Sequence, residues 1–234
     1  INQAAVTAAE SGERLPLETQ TRELDARRDF AQQIEQFWRS PPLYPRLEEL
    51  RATATFSGDM PILSAGLERA TRLNLTGTAN STAALRFVEC FPNLAKLKMN
   101  GFELGPLALG EAKLPQLSDL ELKNCGVVMT PENQAALLSL GSLDSLDLSD
   151  NPLGTFPDLN LLPELIYLDL SNCGLTVVPE GLASHPGLRT AVLAGNRITQ
   201  LPEALFDLPA ERSDGIDLAD NPLSTATRDQ IKNY

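Results

Sequence analysis

The chain has 234 residues, a net charge of −12 from 31 acidic and 19 basic residues, one histidine and three cysteines. Such an acidic balance argues against nucleic-acid binding, which needs basic surface. No apolar run approaches the roughly 18 residues that a membrane-spanning helix requires. We therefore expect neither a nucleic-acid partner nor a membrane span.

The first 45 residues differ in pattern from everything that follows. Residues 1–19 show no hydrophobic periodicity, and we predict a flexible segment there. Residues 20–45 are predicted to form an N-terminal helical cap, in which Phe30, Ile34, Phe37 and Trp38 fall on one face and Ser40-Pro41-Pro42 ends the helix. We expect this face, including Trp38, to be buried against the next part of the chain. Partner binding by the same face is the alternative.

A repeat runs through most of the remaining sequence. The pattern Leu-x-x-Leu-x-Leu-x-x-(Asn or Cys) is clearest at Leu143–Asn151 and Leu165–Cys173. Copies begin at residues 47, 70, 94, 117, 143, 165, 188 and 213, at intervals of 22 to 26 residues. Pattern and interval are those of leucine-rich repeats. We therefore predict an α/β leucine-rich-repeat solenoid (horseshoe) of eight repeats over residues 46–223, with a concave parallel β-sheet.

Each position of the repeat has a physical role. Alternation in the Leu-x-Leu core turns the leucines inward and the intervening residues outward, onto the concave face. The Asn or Cys at the ninth position turns inward where the strand ends, and it pairs with loop backbone groups that would otherwise lack partners. Thr55, Thr78 and Phe102 hold this position in the first three repeats, where we expect looser turns.

The segments between successive strands fall into two kinds. Phe156-Pro157, Val178-Pro179 and Leu201-Pro202 predict irregular returns, because proline fixes φ and donates no hydrogen bond. Helices are predicted at residues 81–91, with Leu85, Val88 and Phe91 inward, and at residues 130–140, where Thr130 precedes Pro131. Ser224 is predicted to cap a last helix. We interpret residues 224–234 as a C-terminal cap or the start of a following domain.

Residues with chemical reactivity are few. Cys125 and Cys173 occupy the ninth position and are predicted to be buried thiols, and Cys90 lies on a predicted helix. The ends carry no cysteines, unlike extracellular repeat proteins with disulfide-closed ends, which favours a reducing cytosol. His185 is predicted to be a solvated loop histidine. We find no nucleophile–base pair, phosphate-binding loop or metal-ligand spacing, and predict no catalytic residue, metal or cofactor.

Residues predicted to face outward from the strands change sign along the chain. The basic ones are Arg51, Arg72, Lys96, Lys98 and Lys123; the acidic ones are Asp119, Glu121, Asp147, Asp169 and Asp217, with Tyr167 among them and Glu49 as an exception to the order. The sequence thus predicts a bipolar concave face, positive at its N-terminal end, that binds a protein partner. The alternative is that the acidic residues only keep the protein soluble.

Two flanking segments carry a more specific signal than the repeats. The first is the end of the predicted N-terminal helix, Phe37-Trp38-Arg39-Ser40. The second is Asn221-Pro222-Leu223-Ser224, followed by Thr227, Ile231 and Tyr234. Between them lie the proline-containing returns. Over residues 25–234 the chain resembles the repeat region of bacterial type III secreted effector ubiquitin ligases of the NEL type. This resemblance implies a virulence protein that is secreted into the host-cell cytoplasm and whose repeats select the target.

The resemblance also implies a ligase domain with a catalytic cysteine in a Cys-x-Asp motif. Here Cys90, Cys125 and Cys173 are followed two positions later by Pro92, Val127 and Leu175, so no catalytic role is carried over. Because the chain begins at Ile1 rather than Met, we expect a monomeric fragment without enzymatic activity of its own. Its expected partner is a host protein or its own C-terminal domain. The alternative is a free-standing adaptor or structural protein of the bacterial cytoplasm.

Overall fold

A single parallel sheet organises the molecule. The computed structural model describes residues 16–40, 48–56, 60, 67–77, 84, 87–104 and 114–232. Within these ranges the strands pair in chain order, each with the next. They are β1 (Glu48–Ala54), β2 (Ala70–Gly77), β3 (Lys96–Asn100), β4 (Asp119–Lys123), β5 (Ser145–Asp147), β6 (Tyr167–Asp169), β7 (Thr190–Val192) and β8 (Ile216–Asp217).

The register of the sheet confirms the predicted repeats. The fourth residue of every repeat is paired with the fourth residue of its neighbours. This row consists of Leu50, Leu73, Leu97, Leu120, Leu146, Leu168, Ala191 and Ile216. All of them are buried except Ile216, which is partly buried in the last repeat. Stacked repeats therefore share one continuous apolar core, as the alternating pattern predicted.

A long helix covers the first edge of the sheet. Helix α1 (Leu17–Arg39) buries Phe30 and Ile34, and Gln33 Oε1 accepts a hydrogen bond of 2.9 Å from the Thr53 amide of β1. Its first turn includes residues 17–19, which the sequence placed in a flexible segment. Hydrophobic periodicity missed this turn because its side chains are largely exposed and bury nothing. Residues 1–15 and 41–45 lie outside the described part of the chain.

The predicted burial of Trp38 is wrong, since 56% of its surface is exposed. Phe30, Ile34 and Phe37 follow the spacing of one helix stripe, and Trp38 lies beside that stripe rather than within it. The end of the helix is held instead by Arg69, whose guanidinium lies 4.5 Å from the centre of the Phe37 ring. Arg69 also donates to the Ser40 carbonyl at 2.7 Å and forms a 2.9 Å ion pair with Glu48.

The segments that lead from one strand to the next, called return segments below, follow the two predicted kinds. Helix α2 (Pro131–Leu138) begins after Thr130, whose hydroxyl accepts from the Asn133 amide, as predicted. The proline-containing returns hold the short 3-10 turns Leu159–Leu161 and Glu203–Leu205, and α3 (Ala210–Ser213) precedes β8. Val88 and Phe91 are buried as predicted. Leu85 lies outside the described residues.

The last helix begins where the sequence predicted. Helix α4 (Thr225–Lys232) follows Ser224, whose hydroxyl accepts a hydrogen bond of 3.1 Å from the Thr227 amide. Satisfying an unpaired amide in this way is the usual function of serine at a helix start. The Ser224 amide in turn donates to the Thr199 carbonyl, which ties the helix to the return segment of repeat seven.

Buried asparagines join consecutive repeats at the ninth position. Asn151 accepts hydrogen bonds from the amides of Cys125 and Val127 in the preceding repeat and donates to the carbonyls of Leu122 and Leu148. Asn196, two repeats further on, makes the equivalent bonds. It accepts from the amides of Cys173 and Leu175 and donates to the carbonyls of Leu170 and Leu193. The side chain thus satisfies buried backbone groups of two repeats at once, as the sequence predicted.

The turn just before this position has a fixed backbone conformation. In repeats three to eight the eighth residue has a positive φ, between 50° and 82°; these residues are Gly101, Asn124, Asp150, Asn172, Gly195 and Asp220. Only Gly adopts this region freely, and Asn and Asp tolerate it better than other residues. In repeat three the next residue, Phe102, fills the asparagine position with a buried ring. The expected looseness of the first three turns stays a prediction.

His185 corrects the sequence interpretation most clearly, because it is fully buried rather than solvated. Its Nδ1 accepts from the amides of Gly187 and Leu188, at 3.2 and 2.9 Å, so Nε2 carries the proton and donates to the Leu162 carbonyl at 3.0 Å. The neutral ring therefore links the return segment of repeat five to the loop that leads into β7. A catalytic role is unnecessary to explain this residue.

Candidate protein-binding face

The side of the sheet that faces away from the core is the candidate site. We call outer face the strand residues that alternate with the buried leucines. One row across it contains Glu49, Arg72, Lys96, Asp119, Ser145, Tyr167 and Thr190, and the next contains Arg51, Asn74, Lys98, Glu121, Asp147, Asp169, Val192 and Asp217. With Lys123 in a third row, every predicted partner-binding residue lies on the outer face. Eight strands about 4.8 Å apart span roughly 35 Å.

The predicted positive half is largely neutralised within the chain. Lys96 pairs with Asp119 and Lys98 with Glu121, and both pairs join β3 to β4 at the place where the sign changes. Arg51 pairs with Glu49 at 2.8 Å, and Lys123 with Asp150 at 3.4 Å. The hydrogen bond to Glu121 also raises the pKa of Lys98, against the effect of its partial burial. The register of β3 and β4 thus brings two predicted basic residues, Lys96 and Lys98, against two predicted acidic ones.

The acidic residues of β5, β6 and β8 are not neutralised in this way. Asp147, Asp169 and Asp217 take part in none of the salt bridges between described residues. Each instead uses Oδ1 to accept, at 2.9 Å, from the backbone amide two residues later. This bond explains the recurring Leu-Asp-Leu-Ser sequence, because the carboxylate satisfies an amide where the strand ends. Each of these carboxylates therefore has a structural function at the end of its strand.

Burial and neighbouring carboxylates raise the pKa values of two residues on β5 and β6. The pKa of Asp147 is raised mainly because the carboxyl is partly buried, and the charges of Asp169 and Glu121 add to that effect although Ser149 opposes it. Burial also raises the pKa of the Tyr167 hydroxyl, and the carboxylates of Asp169 and Asp147 contribute.

Tyr167 occupies a distinctive place on the outer face. Its neighbours in register are the short side chains Ser145 and Thr190, and its hydroxyl lies 3.5 Å from Oδ2 of Asp169. Ile166, which precedes it in the sequence, is 47% exposed, and Val192 is the apolar member of the next row. Neither residue was predicted from the sequence, although Ile166 replaces the charged residue found at this position in repeats five and seven.

Two of the three cysteines, Cys125 and Cys173, have a structural function. Burial raises the pKa of Cys125 to about 11 and that of Cys173 to about 12, which keeps both as thiols at neutral pH. Both donate to backbone carbonyls, Cys125 to Met99 and Cys173 to Leu148.

Within the part of the chain that the structure describes, no group of three or more His, Cys, Asp or Glu residues is arranged to hold a metal ion. No described helix has the length and apolar character needed to cross a membrane.

Comparison with known proteins identifies the fold. The Leucine Rich Repeat family model matches residues 142–162 and 164–185. A chain from the Toll–Spätzle complex of Drosophila matches with a TM-score of 0.52 and 14% identity, and one from the complex of the Arabidopsis receptor kinase HAESA with the peptide hormone IDA and the co-receptor SERK1 matches with 0.50 and 22%.

This chain is an α/β leucine-rich-repeat solenoid.

The matches extend over most of the solenoid and over a small part of the larger proteins. They cover 80% of this chain and 29% of the Drosophila chain, and 76% of this chain and 30% of the Arabidopsis chain. A leucine-rich-repeat protein of Leptospira interrogans matches with a TM-score of 0.48 and 21% identity, over 72% of this chain and 46% of that one. No curated protein matches the solenoid by sequence. The family-model match and the matches from Drosophila and Arabidopsis establish the fold.

Proposed function

We propose that this solenoid is the target-selecting part of a secreted bacterial effector ubiquitin ligase and that it binds a host protein with the outer face of its sheet. The observation that carries the binding proposal is the unneutralised end of that face, where Tyr167 lies among Asp147 and Asp169. The lysines of β3 and β4 already form salt bridges, whereas Asp147 and Asp169 take part in none of the salt bridges between described residues. The resemblance of the two flanking segments to NEL-type effectors supports the ligase part of the proposal.

The position of the partner can be tested by photo-crosslinking in host-cell lysate. A photoreactive amino acid at Ser145 or Thr190 places the probe on the outer face, and one at the exposed Val177 places it in the return segment of repeat six. We expect the same protein adduct from both outer-face positions and none from Val177. Adducts from Val177 alone would assign binding to the return side and refute the proposal.

The ligase part can be tested separately. We expect the isolated solenoid to discharge no ubiquitin from a charged conjugating enzyme, because the buried thiols of Cys125 and Cys173 lack the required reactivity. In the coding sequence after Tyr234 we expect a helical domain with a Cys-x-Asp motif. An early stop codon there would refute the ligase proposal and favour a free-standing adaptor. Discharge that depends on Cys90, Cys125 or Cys173 would contradict the absence of a catalytic residue.

A further inference from the structure

We infer that the partner contacts β5 and β6 through an arginine side chain that stacks on Tyr167 and is held by the carboxylates of Asp147 and Asp169. This inference rests on the proposed function, because it concerns the same outer face. It goes further by naming the chemistry that the partner must present.

Space is available because Tyr167 projects between short side chains. Its partners in register are Ser145 on β5 and Thr190 on β7, so no large residue covers the aromatic ring along its own row. The face of an aromatic ring provides a platform for the stem and head of a long basic side chain.

Asp147 and Asp169 form no salt bridge with a described residue, whereas the lysines of β3 and β4 pair with other acids. Lys96 and Lys98 are paired with acids of β4, and Lys123, which lies near Asp147 and Asp169, is paired with Asp150. Asp147 and Asp169 face each other in register on neighbouring strands. Each uses one oxygen for the backbone amide that follows the strand, so the second oxygen remains able to accept. Burial is the main cause of the raised pKa values of Asp147 and Tyr167, and the neighbouring carboxylates add to it.

The arrangement suits arginine better than lysine. Two carboxylates on adjacent strands, about 4.8 Å apart, are matched by the separate N–H groups of a planar guanidinium. The same plane stacks on an aromatic ring, whereas an ammonium group is a compact, strongly hydrated charge. The Tyr167 hydroxyl, 3.5 Å from Asp169 Oδ2, adds a polar group at the edge of the platform.

Binding of a minimal probe tests the inference without a known partner. Acetyl-arginine N-methylamide is titrated into 15N-labelled protein at millimolar concentration, with acetyl-citrulline N-methylamide as the uncharged probe of the same shape. We expect saturable amide shifts at residues 145–147, 167–169 and 190–192 with the arginine probe only. Acetyl-lysine N-methylamide is expected to bind several-fold more weakly.

Matched variants separate this site from general charge attraction. Asp147→Asn and Asp169→Asn each keep the acceptor for the backbone amide and remove one charge, and we expect either to weaken probe binding about tenfold. Tyr167→Phe should retain binding and Tyr167→Ala should lose it. Asp158 caps the Asn160 amide in a return segment in the same way, so Asp158→Asn is the control and should bind the probe normally.

Several results would overturn the inference. These are the absence of saturable shifts, equal shifts with citrulline, lysine binding as tightly as arginine, or equal weakening by Asp158→Asn. Failure of the proposed function would look different, since it is measured by crosslinking from Ser145 and Thr190. Outer-face crosslinks without an arginine site would leave protein binding intact and remove only the arginine.

Discussion

The two ends of the sheet are stabilised by different means. β1 and β2 have seven and eight residues, whereas β5, β6 and β7 have three each. An aromatic cluster lies at the N-terminal end, where the rings of Phe30, Phe56, Phe87 and Phe91 pack with centroids 5.2 to 5.6 Å apart. At the other end, buried asparagines replace both the long ladders and the rings.

This difference shows how one repeat pattern tolerates unequal strands. Long strands satisfy their backbone groups through the ladder itself, and the apolar residues beneath them need only fill space. A three-residue strand leaves the following amides and carbonyls to the loop, where Asn151, Asn196 and Asn221 satisfy them. The N-terminal end therefore depends on packing and the C-terminal end on hydrogen bonds.

Phe30→Ala tests the dependence of the N-terminal end on packing, and it has the largest expected effect. We expect the free energy of unfolding to fall by about 3 to 5 kcal/mol, because a fully buried ring is removed from the cluster between α1 and the sheet. Trp38→Ala on the same helix is the control and should change stability by no more than about 0.5 kcal/mol, since the ring is exposed. Urea denaturation measures both. A larger loss for Trp38→Ala would contradict the assignment of the buried face.

Asn151→Ala tests the dependence of the C-terminal end on hydrogen bonds. Removing the side chain leaves the amides of Cys125 and Val127 and the carbonyl of Leu122 without this partner in a buried loop. We expect a loss of about 3 kcal/mol, because each unsatisfied buried group costs roughly 1 kcal/mol or more. Asn160→Ala, at an exposed position of a return segment, should lose less than about 1 kcal/mol. Equal losses in urea denaturation would mean that burial of Asn151 has no special importance.

The repeats were predictable because periodicity reports burial directly. The positions of the inward leucines and of Asn151, Asn196 and Asn221 follow from the template, and the register confirms them. His185 and Trp38 were not predictable in this way. Whether one loop imidazole meets two amides and a carbonyl depends on how neighbouring repeats stack, and the template does not encode that.

His185→Ala tests whether a single side chain outside the template also joins repeats at the hydrogen-bonded end. Loss of the ring removes the acceptor for the Gly187 and Leu188 amides and the donor to the Leu162 carbonyl. We expect a loss of about 2 kcal/mol. His185→Asn, whose side-chain oxygen can accept near the position of Nδ1, should recover part of it. If His185→Ala leaves the free energy of unfolding unchanged in thermal and urea unfolding, water replaces the ring. The difference between the two ends of the sheet would then depend on the asparagines alone.

The candidate site was predictable in membership but not in its state of charge. Alternation places each outward residue on the outer face. The repeat frame also aligns Lys96 with Asp119 at the third position and Lys98 with Glu121 at the fifth, but counting charges along the chain does not use this alignment. The structure shows that the aligned side chains form salt bridges. The bipolar face inferred from charge counts thus becomes a paired region followed by an acidic one.

Asp147→Asn has the smallest expected effect and tests the acidic end directly. Because folding raises the pKa of this carboxyl, its protonated form is favoured in the native state. The stability that this proton contributes is present below the unfolded pKa, about 3.9, and is lost as the pH rises through the folded value. At pH 7 the ionised group therefore opposes folding, and the neutral amide, which still accepts from the Ser149 amide, should stabilise the protein. We expect a gain of less than about 1 kcal/mol, because the side chain is partly exposed and its charge is screened.

Urea denaturation of both proteins from pH 3 to 8 should show the gain at neutral pH and its disappearance near pH 3. Asp158→Asn is the control for the removal of one charge from an acidic protein. A variant that is less stable than the wild type at pH 7 would mean that Lys123 compensates the charge of Asp147, and the acidic end would then resemble the paired region beside it.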